Sequence, residues 1–259
     1  MLKEGNCSMS AWEAQSVLLV WFTPASNSVR AAAVYESVFG READTVQTNK
    51  APNPASPFLS VANGVLNSVQ TQVAVLPGRV DLSISSVPET AEANTEIEDT
   101  AGLLTSLAES ASTVSASISE VLRQALVVNL QRRAADISEA LNNLDVQIEG
   151  IDLEGTLDFS LQLNKRREFR SLPGTQMNRL VRASTAIAQQ ISITMGNGLP
   201  GIPVNVGNEV AFSHFAIDLN TVATTGRTFS PEEQTAIWKE FIEEALHLRN
   251  EGSLKALQS

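Results

Sequence analysis

The chain of 259 residues carries a net charge of −11 at pH 7, and 43% of its residues are hydrophobic. This length and apolar content are sufficient for a well-buried core and argue against wholesale disorder. The negative charge repels phosphate groups, which disfavours nucleic acids and anionic membranes as general partners and favours basic protein partners.

The cysteine count and the apolar runs favour a cytoplasmic location. Cys7 is the single cysteine, so no internal disulfide can form, which suits a reducing compartment. The longest purely apolar run, Val17 to Phe22, is too short to cross a bilayer or to act as a signal core. We therefore expect a cytoplasmic protein without membrane contact, in which residues 1–12 form a flexible arm.

The first elements alternate between strand and helix patterns. Val17 to Phe22 predicts a buried strand, and the next apolar residues recur at helical spacing up to Gly40, which predicts a helix that ends there. Asn63-Gly64 predicts a hairpin turn in the following segment, and Pro77-Gly78 predicts a second turn. A meander of three strands is the expected result.

The stretch 88–120 contains only acidic charges. Thr95 with Glu98 forms a capping-box pattern, which predicts a helix start. The serine-rich tail of this stretch, residues 106–119, predicts a mobile surface segment.

The second half repeats the order of elements. Residues 118–131 fit either a helix or a strand, and we interpret them as a helical turn followed by a strand from about residue 123. Alternating patterns then predict further strands at 157–164, 177–194 and 210–221. Ser230-Pro231-Glu232-Glu233 predicts the start of a long final helix whose apolar face includes Trp238 and Phe241.

This order predicts an α+β fold with a large, mostly antiparallel sheet and helices on one face. The unit β-α-β-β-β-α occurs twice, over residues 13–115 and 116–259, which suggests an internal duplication. Residue identity between the halves is negligible, so the similarity is one of element order. We expect the two halves to pack as one domain.

Familiar catalytic and cofactor motifs are missing or lack their structural context. Residues 196–201 match G-x-G-x-x-G, but Pro203 and β-branched residues follow where a dinucleotide site needs a helix. His214 and His247 are the two histidines, and with Cys7 they form no metal-ligand spacing. We therefore expect no cofactor, no metal and no catalytic residue.

The most informative stretch lies between residues 158 and 182. Its part from residue 165 to residue 182 contains six basic residues, although the chain as a whole is acidic. Alternation along the predicted strands places several polar side chains on one face, and Asp218 with Asn220 lines a third strand. The candidate binding residues are Asp158, Gln162, Asn164, Arg166, Arg167, Asn178, Arg179, Arg182, Asp218 and Asn220.

Three short patterns carry a resemblance. Asp158-Phe159-x-x-Gln162-x-Asn164, then Asn178-Arg179-Leu180, then Ile217 to Asn220 resemble a group of uncharacterised bacterial proteins. The resemblance covers residues 158–220 and implies a bacterial origin without any particular chemistry.

These observations favour a non-catalytic binding protein. Its locally basic sheet surface would bind an anionic ligand or an acidic partner segment, and a protein partner or self-association is expected. One alternative is a hydrolase-like enzyme that uses Asp158 and Asp218 with an arginine such as Arg179 as an anion clamp. A second alternative is a structural subunit of a larger complex.

Overall fold

The computed structural model describes residues 12–24, 28–87, 96–194, 202–224 and 226–258. Within these residues, nine strands and four helices form the fold, and a short 3₁₀ helix, Leu254–Gln258, follows the last helix. The strands are β1 (Glu13–Phe22), β2 (Thr45–Thr48), β3 (Ser60–Leu66), β4 (Val69–Leu76), β5 (Arg79–Ser86), β6 (Arg123–Ala134), β7 (Ser160–Glu168), β8 (Gln176–Thr194) and β9 (Ile202–Thr221). The helices are α1 (Ala31–Phe39), α2 (Thr100–Ser115), α3 (Ile137–Asn142) and α4 (Pro231–Glu251).

The strands form one antiparallel sheet in the order β2-β3-β4-β5-β1-β6-β9-β8-β7. The predicted α+β fold is therefore confirmed. β1 and β6 lie side by side at the boundary between the two halves. Outward from β1 the strands are β5, β4 and β3, and outward from β6 they are β9, β8 and β7. This order matches two β-α-β-β-β-α units, although β2 is an additional edge strand and the duplication itself stays a prediction.

Strand alternation separates the sheet into two faces. The helix-covered face includes Val17, Leu19 and Trp21 of β1, all fully buried. Trp21 packs against Trp238 of α4 with ring centroids 4.8 Å apart, and one continuous core cluster spans both halves. Of the expected N-terminal arm, only Trp12 lies within the described residues, and it is buried in this core. No helix in the described ranges is long and apolar enough to cross a membrane.

The predicted turn at Asn63-Gly64 is wrong, because both residues lie inside β3. The turn is made by Asn67 and Ser68, whose φ angles of 47° and 63° are the positive values that a tight hairpin requires. Gly64 instead allows Tyr35 of α1 to approach the strand, since a side-chain carbon at this position would overlap the tyrosine hydroxyl. That hydroxyl hydrogen-bonds to Thr71 at 2.7 Å.

We predict that Gly64→Ala destabilises the protein by about 1–3 kcal/mol, the usual range for overpacking a core contact. Chemical denaturation measures the change. Tyr35→Phe supplies the control background, because it removes the oxygen that the new methyl group would strike. If Gly64→Ala cost as much in the Tyr35→Phe background as in the wild type, this explanation would be contradicted.

The predicted mobile segment at 106–119 is also wrong. Residues up to Ser115 belong to α2, where Leu107, Ala111 and Val114 are buried. The serines are compatible with the helix because their hydroxyls bond to carbonyl oxygens of the preceding turn, as Ser112 does to Ala108 at 2.8 Å. Asp99 caps the helix by accepting from the Gly102 N–H, and Thr95 of the predicted capping box lies outside the described residues.

The final helix follows the prediction closely. Ser230 and Glu233 form a capping box, Pro231 occupies the first turn, and Gly252 ends the helix in the left-handed conformation. The apolar face anchors the helix to the sheet: Phe241 is fully buried, and its ring centroid lies 5.6 Å from that of Phe169 and 5.8 Å from that of Trp238.

Replacing Phe241 with alanine should therefore cost about 3–5 kcal/mol, because the site loses both apolar contact and packing volume. Thermal or urea unfolding measures this cost. Lys239→Ala on the exposed side of the same helix is the matched control and should change stability little. Equal unfolding midpoints for Phe241→Ala and Lys239→Ala would show that α4 is not part of the core.

Candidate functional site

The sheet face opposite the helices collects most of the predicted binding residues. The β7–β8 register places Gln162 opposite Arg182 and Arg166 opposite Asn178. The β8–β9 register then places Asn178 opposite Asn220. Asp218 lies two residues before Asn220 on β9, so it shares the same face of the sheet. Six of the ten predicted residues are thus brought together on three adjacent strands, and we call this surface the polar face.

Side-chain hydrogen bonds connect these residues in a chain. Arg166 Nε donates to Asn178 Oδ1 at 2.8 Å, and Asn178 Nδ2 donates to Asn220 Oδ1, also at 2.8 Å. Asn220 Nδ2 in turn donates to Asp218 Oδ1 at 2.9 Å. Two bonds from Arg182 to Gln162 Oε1 lie beside this chain. The amides therefore hold the arginine side chains in defined positions, which prepares their remaining N–H groups for a ligand.

The polar face extends over three residues that the sequence did not reveal. Arg123 at the start of β6 donates to Asn220 Oδ1 at 2.7 Å. Phe22 at the end of β1 packs with Arg123 on one neighbouring strand and Arg79 on the other, with guanidinium-to-ring distances of 5.2 and 5.6 Å. These residues are far apart in the chain, and only the pairing of β1 with both β5 and β6 brings them together.

The result is a transverse row across six adjacent strands. From β7 to β5 it consists of Arg166, Asn178, Asn220, Arg123, Phe22 and Arg79. Strand register pairs these neighbours except Asn220 and Arg123, which a hydrogen bond joins because Ala125 lies opposite Asn220. With neighbouring strands about 4.8 Å apart, the row is roughly 24 Å long. We call it the arginine row.

The charges along the row are only partly compensated. Arg79 forms an ion pair with Asp81, and burial raises the pKa of Asp81 although the Arg79 hydrogen bond and charge oppose that shift. Among the described residues, no carboxylate lies within ion-pair distance of Arg123, Arg166 or Arg182. Their hydrogen-bond partners are neutral amide and carbonyl oxygens. Guanidinium groups without a carboxylate partner are able to form charge-assisted hydrogen bonds with an anion.

Two predicted site residues have a different role. Arg167 and Arg179 occupy the alternate positions of β7 and β8, so their side chains point to the helix-covered face. Arg167 bridges Glu240 and Glu244 of α4, both at 2.9 Å. Arg179 is buried and bonds to Glu244 at 3.0 Å and to the Leu257 carbonyl at 2.8 Å. These arginines attach the β7–β8 hairpin to α4 and are removed from the candidate site.

Asp158 and Asn164 contribute least to the site. Asn164 is exposed at the centre of β7 on the polar face, opposite Leu180. Asp158 is exposed and precedes the first residue of β7. The register separates it from Asp218 by two strands and about six residue steps, a distance on the order of 20 Å. The carboxylate pair required by the enzyme alternative is therefore not formed.

The remaining chemically active side chains do not form a second centre within the described ranges. His214 of β9 is half-buried, its pKa is lowered by burial, and its ring lies 6.2 Å from that of Phe212. His247 is exposed on α4. The described part of the chain contains no group of three or more metal-ligating side chains, and residues 196–201 and Cys7 lie outside it.

Comparison with known proteins supplies no relative: no family model, no curated protein and no solved structure gives a significant match. The function is therefore inferred from the geometry of the site.

Glu240 is one of the two buried carboxylates that attach the β7–β8 hairpin to α4. Burial alone would raise its pKa. Hydrogen bonds from the Arg170 and Ser171 backbone and the Ser171 hydroxyl, together with the charge of Arg167, outweigh burial and hold the pKa below its ordinary value of 4.5. Ionised Glu240 thus stabilises the fold at neutral pH. That contribution is complete above pH 4.5 and is lost as the pH falls through the lower, folded-state pKa.

We predict that Glu240→Gln lowers the free energy of unfolding at pH 7 by about 1.5–3 kcal/mol, the range for charge-assisted hydrogen bonds. Urea unfolding at a series of pH values should show the difference from the wild type shrinking below pH 4.5. Glu243→Gln, whose side chain is 50% exposed, is the control and should cost less than about 1 kcal/mol. A difference that grows on acidification would contradict this assignment.

Proposed function

We propose that this protein is a non-catalytic binding protein whose polar face engages the carboxylates of an acidic ligand or an acidic partner segment. The observation that carries the proposal is the arginine row with Arg182 beside it, where three guanidinium groups are held by neutral side chains and lack a carboxylate partner among the described residues. Guanidinium groups positioned in this way bind carboxylates through paired N–H donors.

The electrostatic setting supports an anionic partner. The chain as a whole has a net charge of −11, yet the exposed surface at Arg166 and Arg182 is locally basic. A local reversal of sign attracts an acidic segment to this surface, while the rest of the molecule repels it. The partner is thus oriented as well as attracted, which favours specific binding over nonspecific adhesion.

Nucleic acid fits this surface less well than a carboxylate partner. A nucleic-acid strand would bring many phosphates close to a chain whose net charge is −11. Single-stranded nucleic acid also requires rings on which bases can stack, and Phe22 already packs with the guanidinium groups of Arg79 and Arg123. The arginine row therefore favours compact carboxylates.

An experiment with a matched control tests the proposal. Arg166→Ala with Arg182→Ala removes two guanidinium groups from the polar face. Arg30→Ala with Arg41→Ala removes the same charge from exposed positions at the two ends of α1. The probe is a peptide of about ten alternating Glu and Val residues, long enough to follow a strand. A Gln-Val peptide of the same length controls for charge.

We expect the wild-type protein to bind the Glu-Val peptide, more weakly at about 300 mM salt than at about 50 mM because salt screens the contact. The polar-face variant should lose about tenfold or more in affinity, since each charge-assisted hydrogen bond is worth about 1.5–3 kcal/mol. The α1 variant should retain wild-type affinity in calorimetry or fluorescence anisotropy. Equal affinities for the two double variants, or for the Glu and Gln peptides, would overturn the proposal.

Both variants are expected to remain folded, because their arginines are exposed and make no buried ion pair. Arg167 is unsuitable for this test, since its replacement would leave the buried carboxylates Glu240 and Glu244 without one of their cations. Circular dichroism and urea unfolding establish that a change in binding is not a change in stability.

A further inference from the structure

β7 lies at the edge of the sheet and pairs with β8 alone among the described strands. Its nine residues, Ser160–Glu168, are all exposed or half-buried. An edge strand of this length presents a row of backbone N–H and C=O groups to which another extended chain can add. Natural edges are often protected by basic side chains, and here the same basic side chains also define which partner would be accepted.

Hydrogen bonds at the two ends of the β7–β8 hairpin determine which backbone groups point outward. Thr185 N–H donates to the Phe159 carbonyl at 3.0 Å, and Phe169 N–H donates to the Thr175 carbonyl at 2.9 Å. Since hydrogen-bonded positions alternate along an antiparallel pair, the odd-numbered residues of β7 bond to β8. The even-numbered residues therefore direct their backbone groups away from the sheet: Ser160, Gln162, Asn164, Arg166 and Glu168.

These even-numbered residues also place their side chains on the polar face, where Gln162 and Arg166 bond to Arg182 and Asn178. A strand added at β7 would bring every second side chain next to Gln162, Asn164 and Arg166 on the same face. Backbone pairing and arginine contacts can therefore be made by the same extended segment, without bending the partner.

The charges beside this edge select an acidic partner. Lys165 and Arg166 are exposed on β7, and Arg182 is exposed on β8. Arg170, which follows β7, is already paired with Glu243 at 2.8 Å and does not add to this charge. The one acid of the strand, Glu168, already accepts from the Gly174 N–H. A second copy of the chain would bring an identical basic edge, and the two edges would repel each other.

Resting on the proposed function, we infer that the acidic partner binds as an additional antiparallel strand on β7, with alternate carboxylates directed to Arg166 and Arg182. Strand addition of this kind combines backbone affinity with side-chain selectivity. In an antiparallel pair, the partner residues opposite Arg166 and the other even-numbered residues direct their N–H groups toward β7. Their side chains lie on the same face of the sheet as those of the even-numbered residues. The residues that carry the carboxylates should therefore also donate the backbone hydrogen bonds.

Alternate N-methylation of the Glu-Val peptide tests this geometry without changing its charge. One peptide is N-methylated at every Glu residue and a second at every Val residue, and both are titrated against the full chain alongside the unmodified peptide. We expect N-methyl-Glu to weaken binding by about tenfold or more, because several backbone bonds to β7 are lost. N-methyl-Val should weaken binding much less, since those N–H groups point away from β7.

The outcomes separate this inference from the proposed function. If both N-methylated peptides bind like the unmodified peptide, and the Arg166→Ala/Arg182→Ala variant still binds it weakly, strand addition is wrong and the carboxylate site stands. Weakening confined to the N-methyl-Val peptide overturns the antiparallel arrangement. No binding of the unmodified peptide removes both proposals. Sedimentation of the free chain adds one check, because a dimer that the peptide dissociates would identify a second copy as the occupant of the edge and overturn the inference.

Discussion

The pairing of β1 with β6 joins the two halves of the sheet, and the core built on that pair determines the arrangement of everything else. The two strands are in register from Glu13 with Gln131 to Phe22 with Arg123, apart from a shift near Gln15. Trp21 packs against Trp238 of α4 with no exposed surface, so the helices are held over one face of the sheet. Because side chains alternate along a strand, burying one face determines which residues occupy the other.

That alternation divides a single basic stretch into two functional classes. Arg167 and Arg179 point toward α4, where Glu240 and Glu244 neutralise them, and they contribute to the structure. Arg166 and Arg182 differ from these residues by an odd number of positions along their strands. They point to the polar face, where amide oxygens accept their hydrogen bonds. A buried charge requires an ion-pair partner within the fold, whereas water stabilises an exposed charge that has no such partner.

The polar face is also more ordered than a solvated surface of independent side chains. Asn220 is buried at its centre, accepts from Arg123 and Asn178, and donates to Asp218. An amide that both donates and accepts can connect several arginines without neutralising them, which a carboxylate could not do. The network thus limits the conformational freedom of the arginines, which under the proposed function lowers the entropy that they lose on binding.

Elements whose signals are local could be predicted from the amino-acid sequence without a structure. The capping box at Ser230, the buried face of α4 and the turn at Pro77-Gly78 all follow from short-range spacing, and the structure agrees with them. The strand predicted at 157–164 forms as β7, but it spans Ser160–Glu168. The α+β class followed from the order of these elements. Periodicity also showed that Gln162 and Asn164 share a face, because that relation needs only one strand.

Relations between distant segments, in contrast, depend on how the whole chain packs. Asn63-Gly64 has the composition of a turn, yet Tyr35 requires the glycine inside a strand. The serines of α2 suggested mobility, yet burial of Leu107 and Val114 outweighs their weak preference against a helix. Apart from the β7–β8 hairpin, the arginine row is joined by contacts between residues more than 40 positions apart, which no local pattern encodes. Strand register across the sheet is set by the packing of the whole core, and for that reason the site could be located from the sequence only in part.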